Sequence, residues 1–182
     1  MRDRILTALP PVTHRRFLVY VMGPYKSFSD AERAQDAEGD GAKSEVLELL
    51  EAVRDSLREE ASLNAFLATD VGIPLSELDA ATQSIEFARA SNVVAFVVPH
   101  LGRNLGVGIE VGSILEALAA EDRERIVFVH EDGVRSAMIA ALAERWDATV
   151  YSYDSTEELV KRLREFSVDV MHREQYGDLP ER

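Results

Sequence analysis

Short apolar runs alternate with amphipathic stretches along most of this chain. Phe17–Met22, Asn64–Thr69, Asn92–Val98, Ile126–His130 and Ala148–Ser152 are compact and rich in Val, Ile, Phe and Ala, which reads as buried strands. The intervals repeat at helical spacing. Glu45–Glu60 carries Val46, Leu47, Leu50, Val53 and Leu57 on one stripe, and 76–91 places Leu78, Ala81, Thr82, Ile85 and Ala88 on one face. Further helices are expected over Ile114–Ala120 and Val134–Arg145. Another starts at the Ser155/Glu158 capping-box pattern and runs through Phe166 or beyond. Arg2–Leu9 reads as a short helix stopped by Pro10-Pro11. Two stretches fall outside the pattern: a solvated acidic loop at 27–43 and a polar, fraying tail at 173–182.

Strands alternating with helices at this spacing imply an α/β domain with a parallel sheet covered on both faces. The expectation is one domain over residues 1–182 with its core at 17–152. Its fold class is a flavodoxin-like or Rossmann-like three-layer sandwich, with a five-stranded parallel sheet in the order 2-1-3-4-5. In that order strands one and three are neighbours whose outgoing connections diverge, and the crevice at the switch point takes ligands. The two most glycine-marked loops, Gly23-Pro24-Tyr25 and Gly102–Gly108, follow those same two strands.

Charge narrows the partners. Acidic residues outnumber basic ones 33 to 20, for a net charge of −13, and Lys26, Lys43 and Lys161 are the only lysines. Such a surface suits a high-salt cytoplasm and offers no basic stripe for a nucleic-acid polymer. With no cysteine there is no disulfide, thiol nucleophile or thiolate metal site. No apolar run approaches the roughly 18 residues of a membrane span, and residues 1–11 lack a signal-peptide core, so no membrane partner and a cytoplasmic location are expected.

Candidate chemistry gathers after the third strand. Asn104-Leu-Gly-Val-Gly-Ile-Glu-Val-Gly112 reads as a glycine turn opening a helix, with Glu110 in the first helical turn at the edge of the apolar stripe. A carboxylate at a helix start stays ionised, which suits a nucleophile or a group stabilising an oxocarbenium ion. The loop's N–H groups could bind an anion, with Arg103 adding charge. Its glycine spacing matches neither a dinucleotide fingerprint nor a P-loop. Elsewhere the readings are bland. His100 is a loop bystander, Asp70 a turn residue and Glu131-Asp132 a solvated turn; Trp146 packs, and His14, His130 and His172 lack metal-ligand spacing.

Leu105-Gly-Val-Gly-Ile-Glu-Val-Gly112 after a Val-rich strand, with Gly23-Pro24-Tyr25 after the first, resembles the nucleoside 2-deoxyribosyltransferase superfamily. It is especially similar to the 2'-deoxynucleoside 5'-phosphate N-hydrolases, and the acidic composition would make it a divergent, haloarchaeal-type member. The resemblance covers residues 17–130. It implies that Glu110 attacks C1' of the sugar and that Tyr25 holds that carboxylate. It implies a substrate side formed by Gly23, Pro24, Arg103, Asn104, Gly106 and Gly108, with Asp79 a weaker candidate for sugar-hydroxyl or proton work. It also implies a small-molecule nucleoside or nucleotide partner, no cofactor and no metal, and a homo-oligomer completing the site. Ser84 and Asn104 stand where such enzymes usually carry acidic residues. These departures keep a non-catalytic nucleotide sensor or assembly protein open as the alternative. A cytokinin-activating-type phosphoribohydrolase ranks low, because its Pro-Gly-Gly-x-Gly-Thr loop is absent.

Overall fold

The structure is a computed structural model. It describes residues 1–24, 40–100, 104–134, 144 and 148–182, with backbone alone at 40–44, 104–110 and 120–121. The elements in chain order are α1 (Arg2–Ala8), β1 (His14–Met22), α2 (Asp40–Ala61), β2 (Leu63–Phe66), α3 (Ala68–Val71), α4 (Ala80–Ala90), β3 (Val93–Val98) and α5 (Asn104–Ala117). A 3-10 segment at Ala120–Arg125 leads into β4 (Ile126–Glu131), β5 (Thr149–Tyr153) and α6 (Thr156–Tyr176).

All five strands pair in parallel in the order β2-β1-β3-β4-β5, the flavodoxin-like order expected from the pattern. Alternation along the strands divides the core in two. Val19, Val21, Ala95, Val97, Val127 and Val129 face α2 and α6. Leu18, Tyr20, Met22, Val94, Phe96 and Phe128 face α1, α4 and α5. Helices on both faces explain why the central strands are apolar at every position. On the second face Tyr20 stacks on Phe66 with centroids 5.0 Å apart, and Phe87 of α4 meets both rings edge-on. Phe96 and Phe128 stack at 4.8 Å.

Several boundaries depart from the apolar pattern. β1 begins at His14, earlier than Phe17, because the exposed 14–16 stretch pairs at the sheet's rim beyond the covering helices. Helix α2 begins at Asp40, so 40–43 are helical and not part of a loop; the remainder of the expected 27–43 loop lies outside the described residues up to 39. β2 stops at Phe66, and Ala68–Val71 turn into a short helix held by Asp70, which accepts from Leu67 N–H at 3.0 Å. α4 starts at Ala80, four residues later than 76. The helix expected at 134–145 lies almost wholly outside the described residues.

The largest correction concerns 173–182. The expected fraying tail is docked. Ser155 caps the start of α6, accepting from Glu158 N–H at 3.2 Å, and the helix runs on to Tyr176. Gly177 then takes a left-handed conformation (φ 83°). The N–H groups of Asp178 and Leu179 both donate to Arg173 C=O, and Leu179 is buried. Arg182 donates to the carbonyls of Ala88, Arg89 and Ser91 and pairs with Asp122. Polarity along 173–182 signalled solvation, but Arg182 finds backbone acceptors at the end of α4 and Arg173 pairs with Glu124. Among the described residues no helix is long and apolar enough to cross a membrane.

Candidate functional site

The carboxyl ends of β1 and β3 lie side by side, with β1 leading to α2 on one face and β3 leading to α5 on the other. This is the topological switch point of the sheet. Gly23 ends β1 where the chain is tightly flanked: a Cβ there would sit 2.8 Å from Leu50 Cδ1 and 3.3 Å from Val97 C=O. A side chain there would have to displace the end of Leu50, so the close approach favours glycine. Pro24 beside it is half-buried. Tyr25 and Arg103 lie outside the described residues.

The glycine stretch after β3 is helix, not turn. α5 begins at Asn104 and includes Gly106, Gly108 and Glu110. Val111, Ile114, Leu115 and Leu118 are buried and anchor its later turns. Propagating an anchored helix backwards adds a hydrogen bond per residue, which offsets the glycine cost of about 1 kcal/mol each. Two expectations change in consequence. Gly106 stays in the first turn, where N–H groups are free for a ligand, but the Gly108 N–H falls inside the helical ladder. Glu110 lies in the second turn and not the first, and α5 has no acidic residue in its first turn. The helix field acts mainly within the first turn, so it holds Glu110 less firmly than expected. The side chains of 104–110 are outside what is described.

Asp79 is the N-cap of α4, accepting from Thr82 N–H at 3.0 Å and from Thr82 Oγ1 at 2.6 Å. These hydrogen bonds from Thr82 hold its carboxyl below the usual aspartate range. An acid so held is ionised at neutral pH, which suits accepting a hydrogen bond from a sugar hydroxyl better than giving up a proton. Ser84 is buried on the same helix, and Gln83 donates to the carbonyls of Ile73 and Leu78, so both are committed to packing.

Four residues read as bland prove to be ties along this edge. Asp70 accepts from Arg54 at 2.8 Å and Arg58 at 3.0 Å, joining α2 to the end of β2. His100 is no bystander: its N–H donates to Glu131 Oε2 at 2.7 Å, and its Nε2 meets Asp132 C=O at 2.8 Å. Facing a carbonyl, that Nε2 must carry the hydrogen. Asp132 N–H in turn donates to Tyr153 C=O at 2.8 Å, so Glu131-Asp132 is a clasp linking β3, β4 and β5. Gly133 has φ 86°, and a Cβ there would lie 3.1 Å from His100 Nε2. Burial first, then the Glu131 carboxylate, push the Tyr153 phenol above its usual range. Among the described residues no group of His, Asp or Glu could hold a metal ion.

The described edge thus supplies a close-packed glycine, a helix start, a histidine clasp and several carboxylates. Sequence reading missed a second polar assembly, at the opposite edge of the sheet. Arg2, Arg125, Arg182, Asn92 and Glu174 meet there, with Arg125 and Glu174 almost wholly buried. Their separation along the chain left no local signal.

A family model spans residues 2–182. The chain belongs to the family described as "Domain of unknown function (DUF7509)". No curated protein matches it. Among solved structures, the metal-soaked Flv1 flavodiiron core from Synechocystis sp. PCC6803 aligns over 89% of this chain at 13% identity and a TM-score of 0.47. This chain spans 37% of that one. A diflavin flavoprotein A3 from Nostoc sp. aligns over 89% of this chain and 96% of its own, at 10% identity and a TM-score of 0.45.

Proposed function

We propose that the β1/β3 crevice of this DUF7509 protein binds a nucleoside or nucleotide, and that the protein cleaves or transfers its N-glycosidic bond. The observation that carries the reading is the switch-point crevice itself. It has Gly23 on one lip, packed closely against Leu50 and Val97, and the start of α5 on the other. Glu110, one turn into α5, is the nucleophile of the proposal, attacking C1' to give a glycosyl-enzyme that water or a second base resolves. Tyr25 positions that carboxylate. Pro24, Arg103, Asn104 and the Gly106 N–H bind sugar or phosphate. The reading includes a cytoplasmic location, no cofactor and a homo-oligomer that completes the site.

The test is product analysis of purified protein in molar KCl against a panel of nucleosides and 5'-nucleotides, with Glu110→Ala alongside. Free base released by the wild type and lost in the variant is the expected result. No release from any substrate, with binding retained, sinks the enzyme and leaves a nucleotide sensor. One observation favours that second reading. Asp79 is engaged as a helix cap, Ser84 stands buried in place of an acid, and Glu86 is paired with Arg89 at 3.1 Å.

A further inference from the structure

At the amino edge of the sheet, opposite the proposed crevice, an open cavity of about 570 Å³ lies between the start of β1 and the end of α6. Its polar walls include His14, Arg15, Arg16 and Arg182, with Phe17 and Met171 adding apolar surface. Arg2 and Arg125 lie behind these walls, bonded to Asn92, to Arg182 C=O and to one another's partners. Five guanidinium groups therefore gather at one place in a protein of net charge −13.

Most of their partners are neutral. Arg2 donates to the carbonyls of Ala90, Arg16 and Arg182 and to Asn92 Oδ1 at 3.0 Å. Arg182 spends three contacts on carbonyls and one on Asp122. Arg125 has Glu174, which also accepts from Asn92 Nδ2 at 2.9 Å, and lies 3.9 Å from Asp122, the acid it shares with Arg182. Glu181 lines the cavity as the remaining local acid. Arg15 donates to Leu6 C=O, and Arg16 has no ion-pair partner among the described residues. The buried Nε of Arg2 has no hydrogen-bond partner there either. Burial, and then the neighbouring Arg16, lower the Arg2 pKa, as expected where cations outnumber the anions facing them.

We propose that this groove binds a small organic polyanion whose phosphate or carboxylate groups meet Arg15 and Arg16 and whose body lies against Phe17 and Met171. Planar guanidinium groups suit paired oxygens of either kind.

Titration of the whole protein with pyrophosphate in one arm and citrate in the other, by calorimetry at matched ionic strength, tests it and separates the two chemistries. Saturable binding of at least one is expected, about tenfold or more weaker in the Arg15→Gln/Arg16→Gln double variant, since each charge-assisted contact contributes about that factor. Glu110→Ala should leave it unchanged, so failure here is distinct from failure of the glycosidase reading. In the unaltered protein, amide NMR shifts should move at 13–17 and 174–182. Absence of saturation, equal affinity in the double variant, or shifts confined to 22–24 and 104–110 would each overturn the proposal.

Discussion

Glu174→Ala tests whether the far end of α6 is structural. The carboxylate is 7% exposed and its partner Arg125 is 2% exposed. Glu174 also accepts both contacts from Asn92 Nδ2 at 2.9 Å, and Asn92 Oδ1 in turn accepts from Leu18 N–H at the same distance. Truncation leaves a buried guanidinium with the Asn92 and Pro180 carbonyls and with Asp122 Oδ1 3.9 Å from its Nε, too long for a hydrogen bond. Breaking a buried pair from one side costs about 3–5 kcal/mol. That is a large part of the roughly 5–15 kcal/mol that stabilises a domain. For a chain of this size it corresponds to a fall in Tm of about 6–20 °C. Glu174→Gln keeps an oxygen acceptor and should lose less. Both are read by circular dichroism during thermal and urea unfolding, at low and molar KCl. The loss should persist in salt, because a buried pair is little screened. The exposed Arg4–Glu77 pair, with both side chains about half-exposed, supplies the contrast: its removal should change stability little, and that little should vanish in salt. If Glu174→Ala falls within 1 kcal/mol of wild type, this end of the molecule is not held as described.

Gly23→Ala should destabilise by about 1–3 kcal/mol, because its Cβ crowds Leu50 and Val97 C=O; unchanged urea midpoints would refute the close packing at the crevice lip. Asp70→Ala should cost about 1–3 kcal/mol by removing the carboxylate that ties Arg54 and Arg58 to the end of β2, while Asp55 and the Ala65 carbonyl still hold the two arginines; retained stability would show that β2 does not depend on that clamp. Gly177→Ala should cost about 1 kcal/mol through its left-handed backbone alone, since nothing crowds the position, and a neutral result would argue against the cap. The Asp79 carboxyl should titrate by NMR below the ordinary aspartate value, because Thr82 favours its ionised form. Its stabilising contribution is then fully present above the unfolded aspartate pKa and lost as pH falls through the folded one. A midpoint at or above the ordinary value would contradict the cap.

The strand order was legible because it follows from periodicity and from connection rules. Five apolar runs, the central ones buried on both faces, admit a parallel sheet, and Gly23 marked the lip of its crevice. Local composition misled where tertiary partners outweigh propensity. Gly106 and Gly108 read as a turn, yet the buried Val111, Ile114 and Leu115 hold α5 so well that the helix extends through them and moves Glu110 to its second turn. His100 and Glu131 looked like separate loop residues, and their hydrogen bond exists because β3 and β4 are neighbours in space. Arg2, Asn92, Arg125, Glu174 and Arg182 are scattered over the whole chain and carry no shared spacing. Periodicity is a local property and can report which face of an element is buried. Which polar groups meet at the rims of the sheet depends on how the elements are stacked, and that was decided only by the tertiary structure.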